Sequence, residues 1–102
     1  MTPEFTVSPA LEAYMRKQKK MNIVVDVATS NTSDFEVSEI FLRLANGDQA
    51  EYLKTAKRFR ARTWSGGEVL LPPYRLAYEE RVRFDMKKYW FYHHLTAEGI
   101  HL

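Results

Sequence analysis

The longest alternations of apolar and polar residues in this chain have a period of two, the mark of half-buried strands. The clearest is Met21-Asn22-Ile23-Val24-Val25-Asp26-Val27, where Ile23, Val25 and Val27 share one face and Val24 and Asp26 share the other. A second long strand is expected from Phe35 to Leu44, with Ile40, Leu42 and Leu44 alternating with Phe41 and Arg43. Phe5-Thr6-Val7-Ser8 is a short strand, Phe59 to Trp64 is extended, and Glu68-Val69-Leu70-Leu71 is a strand stopped by Pro72-Pro73. Near the C-terminus, Val82 to Met86 and Tyr89 to Tyr92 read as extended.

The period changes after Ser8. Leu11, Tyr14, Met15 and Gln18 fall on one face at helical spacing, Ser8 is placed to cap, and Pro9 suits a first helical position. This helix is expected to run to about Lys20, with Arg16, Lys17, Lys19 and Lys20 complementing the dipole at its end. Asp48 followed by Glu51 predicts a capping box and a short helix through about Lys57. Asn46-Gly47, Ser65-Gly66-Gly67 and Gly99 mark turns, and Thr29 to Asp34 a polar loop. Glu79-Glu80 reads as a turn with Arg81.

The chain has 102 residues, enough for one domain over 1–102, and 45% hydrophobic residues suffice for one core. The net charge of +2 is too small to imply a nucleic-acid or membrane partner. No apolar run approaches the roughly 18 residues that span a bilayer. The N-terminus lacks a signal-peptide pattern, so a cytoplasmic location is expected, with no membrane partner. There is no cysteine, which removes disulfides, thiolate nucleophiles and cysteine-ligated zinc or iron–sulfur sites.

Four places carry candidate chemistry. The Thr29–Asp34 loop is polar enough to bind a ligand, but such residues ordinarily cap backbone groups. His93, His94 and His101 concentrate the strong metal ligands; adjacent strand residues point to opposite faces, and no recognised ligand spacing is present, so no metal and no cofactor is expected. Tyr89-Trp90-Phe91-Tyr92 is an aromatic block. Alternation sends Tyr89 and Phe91 to one face and Trp90 and Tyr92 to the other, so one side can be core while Tyr89, Trp90 or Tyr92 contacts a partner protein or a second copy. Arg58, Arg60 and Arg62 share a face, with Phe59 and Trp64 interleaved. The arrangement suits phosphates and stacked bases, or a solvated strand face that keeps a sheet edge from pairing. No phosphate loop, nucleophile elbow or nucleophile–base constellation is present, so the chain is not expected to be an enzyme.

The order strand, helix, strand, polar loop, strand resembles the HesB-like family of A-type iron–sulfur carriers. Thr29-Ser30-Asn31-Thr32-Ser33-Asp34 stands where that family has Thr-Ser-Gly-Cys-Ser-Gly, and Thr32 occupies the position of the cluster-ligating cysteine. Asn31 and Asp34 replace the two glycines. Phe5-Thr6-Val7-Ser8 before a helix, and Trp90-Phe91-Tyr92 leading to Gly99-Ile100, are similar to further family segments; the family's Cys-Gly-Cys tail would begin beyond Leu102. The resemblance implies an α+β fold, a mostly β single domain with one main N-terminal helix, the HesB-like β-roll. It implies a non-catalytic, cysteine-free domain acting by protein contacts and linked to iron–sulfur metabolism. A small nucleic-acid binder using Arg58, Arg60, Arg62 and Trp64 and a histidine metal binder remain as alternatives.

Overall fold

Seven strands and two helices follow one another along residues 3–31 and 36–102, the part of the chain that the computed structural model describes. In order they are β1 (Glu4–Val7), α1 (Pro9–Gln18), β2 (Asn22–Asn31), β3 (Glu36–Ala45), α2 (Gly47–Ala56), β4 (Arg60–Trp64), β5 (Gly67–Leu71), β6 (Ala77–Tyr89) and β7 (Tyr92–His101). Thr32, the position matched to a ligand cysteine, lies outside the described residues.

The strands form two sheets, one in the order β1-β6-β7 and one in the order β3-β2-β5-β4. β1 runs parallel to β6 and β2 parallel to β5; the other pairings are antiparallel. The alternation in β2 explains its central place. Ile23 and Val25 join Trp64, Val69 and Leu71 against Phe5, Val82, Phe84 and Ile100 of the other sheet, with Leu11 and Met15 of α1. Val24 points the other way and packs with Ala45, Ala50, Leu53, Phe59 and Leu70 beneath α2. β2 is therefore apolar on both faces over Ile23–Val25, as a strand covered on both sides must be. The sandwich has two seams, where β3 meets β7 and where β1 meets β4.

Both helices are capped by side chains. The Ser8 hydroxyl accepts from the Leu11 N–H at 3.2 Å and donates to Asp85 Oδ1 at 2.7 Å, while the Ser8 N–H donates to Phe84 O at 2.9 Å. The start of α1 is thus tied to β6. α1 stops at Gln18, two residues before the expected end, because Lys19 turns left-handed at φ 58° and its N–H closes onto Arg16 O and Met15 O. The capping box of α2 is Asn46 with Gln49, not Asp48 with Glu51. Asn46 Oδ1 accepts from the Gln49 N–H at 2.8 Å, and Gln49 Oε1 from the Asn46 N–H at 2.9 Å. Asn46-Gly47 therefore opens a helix rather than forming a free-standing turn, and α2 equals α1 at ten residues. Lys54 pins α2 to β5 through Glu68 at 3.0 Å; that bond, with Glu51 beside it, holds the ammonium above its usual range against the desolvation that opposes it.

Three further expectations change. Thr29, Ser30 and Asn31 are strand rather than loop, because the β2–β3 ladder continues through Asn31 opposite Glu36. The Thr29 and Ser38 hydroxyls meet across it at 3.1 Å. Gly99 lies within β7 rather than in a last turn. Its φ is +94°, and a Cβ there would sit 2.5 Å from Arg81 O. The register shifts at this point: Tyr78 pairs Ile100 and Arg83 pairs Glu98, so Glu79 and Glu80 belong to an irregular stretch of strand, not a turn.

Candidate functional site

Tyr89 and Tyr92 close the β6–β7 hairpin as its last cross-strand pair, leaving Trp90 and Phe91 as a two-residue turn. The expectation of a continuous strand through Tyr89–Tyr92 is corrected here: the chain reverses between the two tyrosines, so alternation does not run through them. Tyr89 and Tyr92 instead stand together, ring centroids 5.6 Å apart. Trp90 and Phe91 are each 90% exposed. Trp90 has φ +51°, a backbone region where glycine is the usual occupant and a bulky side chain is strained. The ring gains no burial in return.

The stem behind this tip is basic. Lys88 pairs His93 and Lys87 pairs His94 across the hairpin. His93 lies against Tyr14 of α1, with ring centroids 4.3 Å apart and the rings tilted by 31°. Beside that contact a cavity of about 280 Å³ brings Lys20, Arg43 and His93 to one lining.

At the β3–β7 seam lies a groove of about 550 Å³, lined by Ile40, Phe41, Leu42, Leu95, Ala97 and Ile100, with His93 and His94 toward the hairpin. Each bordering strand pairs on one side only, so the groove runs between two sheet edges. Phe41 is exposed along it.

The basic strand is arranged differently from its sequence pattern. Phe59 and Ala61 pack toward α2, and Trp64 enters the inter-sheet core at 6% exposure, its Nε1–H donating to Met21 O at 3.2 Å. Trp64 offers no face for stacking on a base. Arg58 precedes β4 at φ +59°, Arg60 is exposed at its start, and Arg62 lines a cleft of about 660 Å³ at the β1–β4 seam. The Tyr78 hydroxyl is buried without a hydrogen-bond partner among the described residues. Burial raises its pKa, and the positive charges of Arg60 and Arg62 offset part of that rise.

The histidines do not converge. His93 rests on Tyr14, His94 faces Lys87, and His101 meets Glu79 at 2.7 Å near the opposite end of β7. Among the described residues no three His, Asp or Glu side chains surround a common point. No described helix is long and apolar enough to cross a membrane.

The interface positions Tyr89, Trp90 and Tyr92 therefore come together at one tip. Arg58, Arg60, Arg62 and Trp64 are split between surface, seam and core. The β3–β7 groove is not legible in the sequence, because it depends on which strands become edges. Its sequence signal is the apolar Ile40-Phe41-Leu42 run, which the fold sets beside Leu95, Ala97 and Ile100 of β7.

No family model matches the chain, and no curated protein matches it in sequence. Among solved structures it is similar to Escherichia coli SufA, described as involved in biosynthesis of iron–sulfur clusters. The TM-score is 0.55 and the identity 10%, over 94% of this chain and 80% of that one. The likeness is one of fold, and it agrees with the α+β, mostly β, HesB-like architecture expected from the sequence.

Proposed function

We propose that this protein is a non-catalytic binding module of HesB-like architecture, linked to iron–sulfur metabolism, that acts by protein contacts and holds no cysteine-ligated cluster. The observation carrying this is a SufA-like fold across 94% of a chain that contains no cysteine. A threonine hydroxyl at position 32 does not replace a thiolate as a soft ligand for iron. The scaffold is retained without the donor set, which leaves its surfaces as the working parts.

The β3–β7 groove is the proposed protein contact. An extended segment of a partner laid between the two edges would find unpaired backbone groups on both sides and an apolar floor beneath. The apolar side chains along it, with Phe41 exposed among them, suit an interface core.

Anaerobic reconstitution with iron and sulfide tests the first half. The expected result is no stable visible chromophore and no stoichiometric iron; a stable chromophore with stoichiometric iron overturns it. A photo-crosslinking amino acid at Phe41 tests the second half in cells. It is expected to trap a protein that the same probe at Tyr52, exposed on α2, does not. Identical capture from both positions overturns the groove assignment.

A further inference from the structure

We propose that the β6–β7 hairpin anchors the protein to an anionic lipid surface. Trp90 and Phe91 would enter the boundary between headgroups and acyl chains, and Lys87, Lys88, Lys20 and Arg43 would lie among the headgroups. This goes beyond the protein contact at the β3–β7 groove and does not depend on it.

The tip has the chemistry of a membrane interface. Trp and Tyr combine an apolar ring with a polar edge and concentrate where hydrocarbon meets water. Here one turn presents Trp90 and Phe91 at 90% exposure, with Tyr89 and Tyr92 paired directly behind them. The strained backbone at Trp90 points the same way. Glycine would occupy that position without penalty, and the indole recovers nothing by packing within the fold.

The charges sit at the matching depth. Lys88 and Lys87 are two and three residues behind Trp90 on β6. At about 3.3 Å per residue this sets them roughly 7–10 Å from the tip. An interfacial element buries its apolar part about 5–10 Å into the headgroup and acyl boundary. Long lysine stems reach back from such a depth to phosphate and carboxylate groups. From Lys87 to His94 the hairpin carries no acidic residue, and Lys20 and Arg43 add cations beside His93 at its base. The chain's net charge of +2 conceals this concentration.

Other occupants fit less well. Two copies meeting tip to tip would bring like-charged collars together. Single-stranded nucleic acid is bound on open aromatic platforms with cations alongside, whereas here the cations lie behind a narrow turn.

The test is flotation of the purified protein with vesicles, read together with tryptophan emission. Vesicles of phosphatidylcholine with about 30% phosphatidylserine are compared with phosphatidylcholine alone. Wild type is expected to float with the anionic vesicles and its emission to shift to the blue, since Trp64 is already buried and Trp90 is the other tryptophan. Trp90→Gly with Phe91→Ser should weaken partitioning about tenfold or more, and so should Lys87→Glu with Lys88→Glu. Both pairs alter exposed positions, so melting no lower than that of wild type shows that the fold is intact. Three results overturn the proposal: no association of wild type with anionic vesicles, equal association with phosphatidylcholine alone, or full association of the Trp90→Gly, Phe91→Ser variant. Tip-dependent dimerisation or oligonucleotide binding without vesicle binding also overturns it, and names the occupant instead.

Discussion

The chain holds two tryptophans, and the structure uses them in opposite ways. Trp64 ends β4 with its ring in the inter-sheet core and its N–H satisfied by Met21 O. Trp90 turns the β6–β7 hairpin with its ring in water and its backbone in a region that penalises it. Each belongs to an extended, aromatic, Lys/Arg-flanked stretch of sequence. The difference lies in what surrounds them after folding. β4 sits beside β5, whose Val69 and Leu71 are fully or nearly fully buried, and the ring follows them inward. At the hairpin tip all four aromatics from Tyr89 to Tyr92 are exposed, and among the described residues nothing covers Trp90. One region supplies stability, and the other offers a surface that stability does not explain.

Substitutions separate the two most sharply. Trp64→Ala should lower unfolding free energy by about 3–5 kcal/mol, by emptying a core position. Trp90→Ala should change it by less than about 0.5 kcal/mol, as exposed positions do. Denaturant titration of both variants checks the contrast, and similar losses would erase it. Gly99→Ala should cost about 2 kcal/mol, since φ +94° and the nearby Arg81 carbonyl both oppose a Cβ. A loss below about 0.5 kcal/mol would show that the β6–β7 irregularity yields easily and the hairpin is set loosely on its sheet.

The pattern made much of the fold legible. β2 is readable from its period-two alternation, β5 from the apolar Val69-Leu70-Leu71 run stopped by Pro72-Pro73, and α1 because Ser8 and Pro9 announce it. The β6–β7 hairpin was not readable, because its turn uses Trp90-Phe91 in place of the Asn-Gly or Asp-Gly that signals a two-residue turn. Nor was the burial of Trp64, since β4 alternates Arg60, Arg62 and Trp64 on one face and only the neighbouring sheet decides which end is covered. The cap of α2 was misplaced by two residues because Asp48 and Glu51 satisfy the same spacing rule as Asn46 and Gln49. Of the candidate sites, the aromatic tip was visible as composition, while its shape and its basic collar emerge only once the chain reverses.

Smaller effects sharpen the comparison. Ser8→Ala should cost about 1 kcal/mol, because the hydroxyl caps α1 and also bonds Asp85. Trp90→Gly should instead stabilise by up to about 1 kcal/mol, by relieving the left-handed backbone. A clear loss there would mean that the ring packs against the protein after all. The smallest effect is acid sensitivity. The Ser8 hydroxyl, then the Met86 N–H and nearby Arg83 and Lys87, hold the Asp85 carboxyl below its ordinary value of 3.8 despite partial desolvation. Its folded pKa is the lower one, so its stabilisation is complete above 3.8 and is lost as pH falls through the folded value. Asp85→Asn should flatten the fall in denaturation midpoint below that pH; an unchanged slope would remove Asp85 from the acid response.

The most direct measurement of this division uses protein labelled with 5-fluorotryptophan, which gives one fluorine resonance for Trp64 and one for Trp90. A soluble paramagnetic agent should broaden the Trp90 resonance strongly and leave that of Trp64 nearly untouched. Equal protection of both resonances would contradict the account, because it would place the hairpin tip inside the fold instead of at a surface free to meet another.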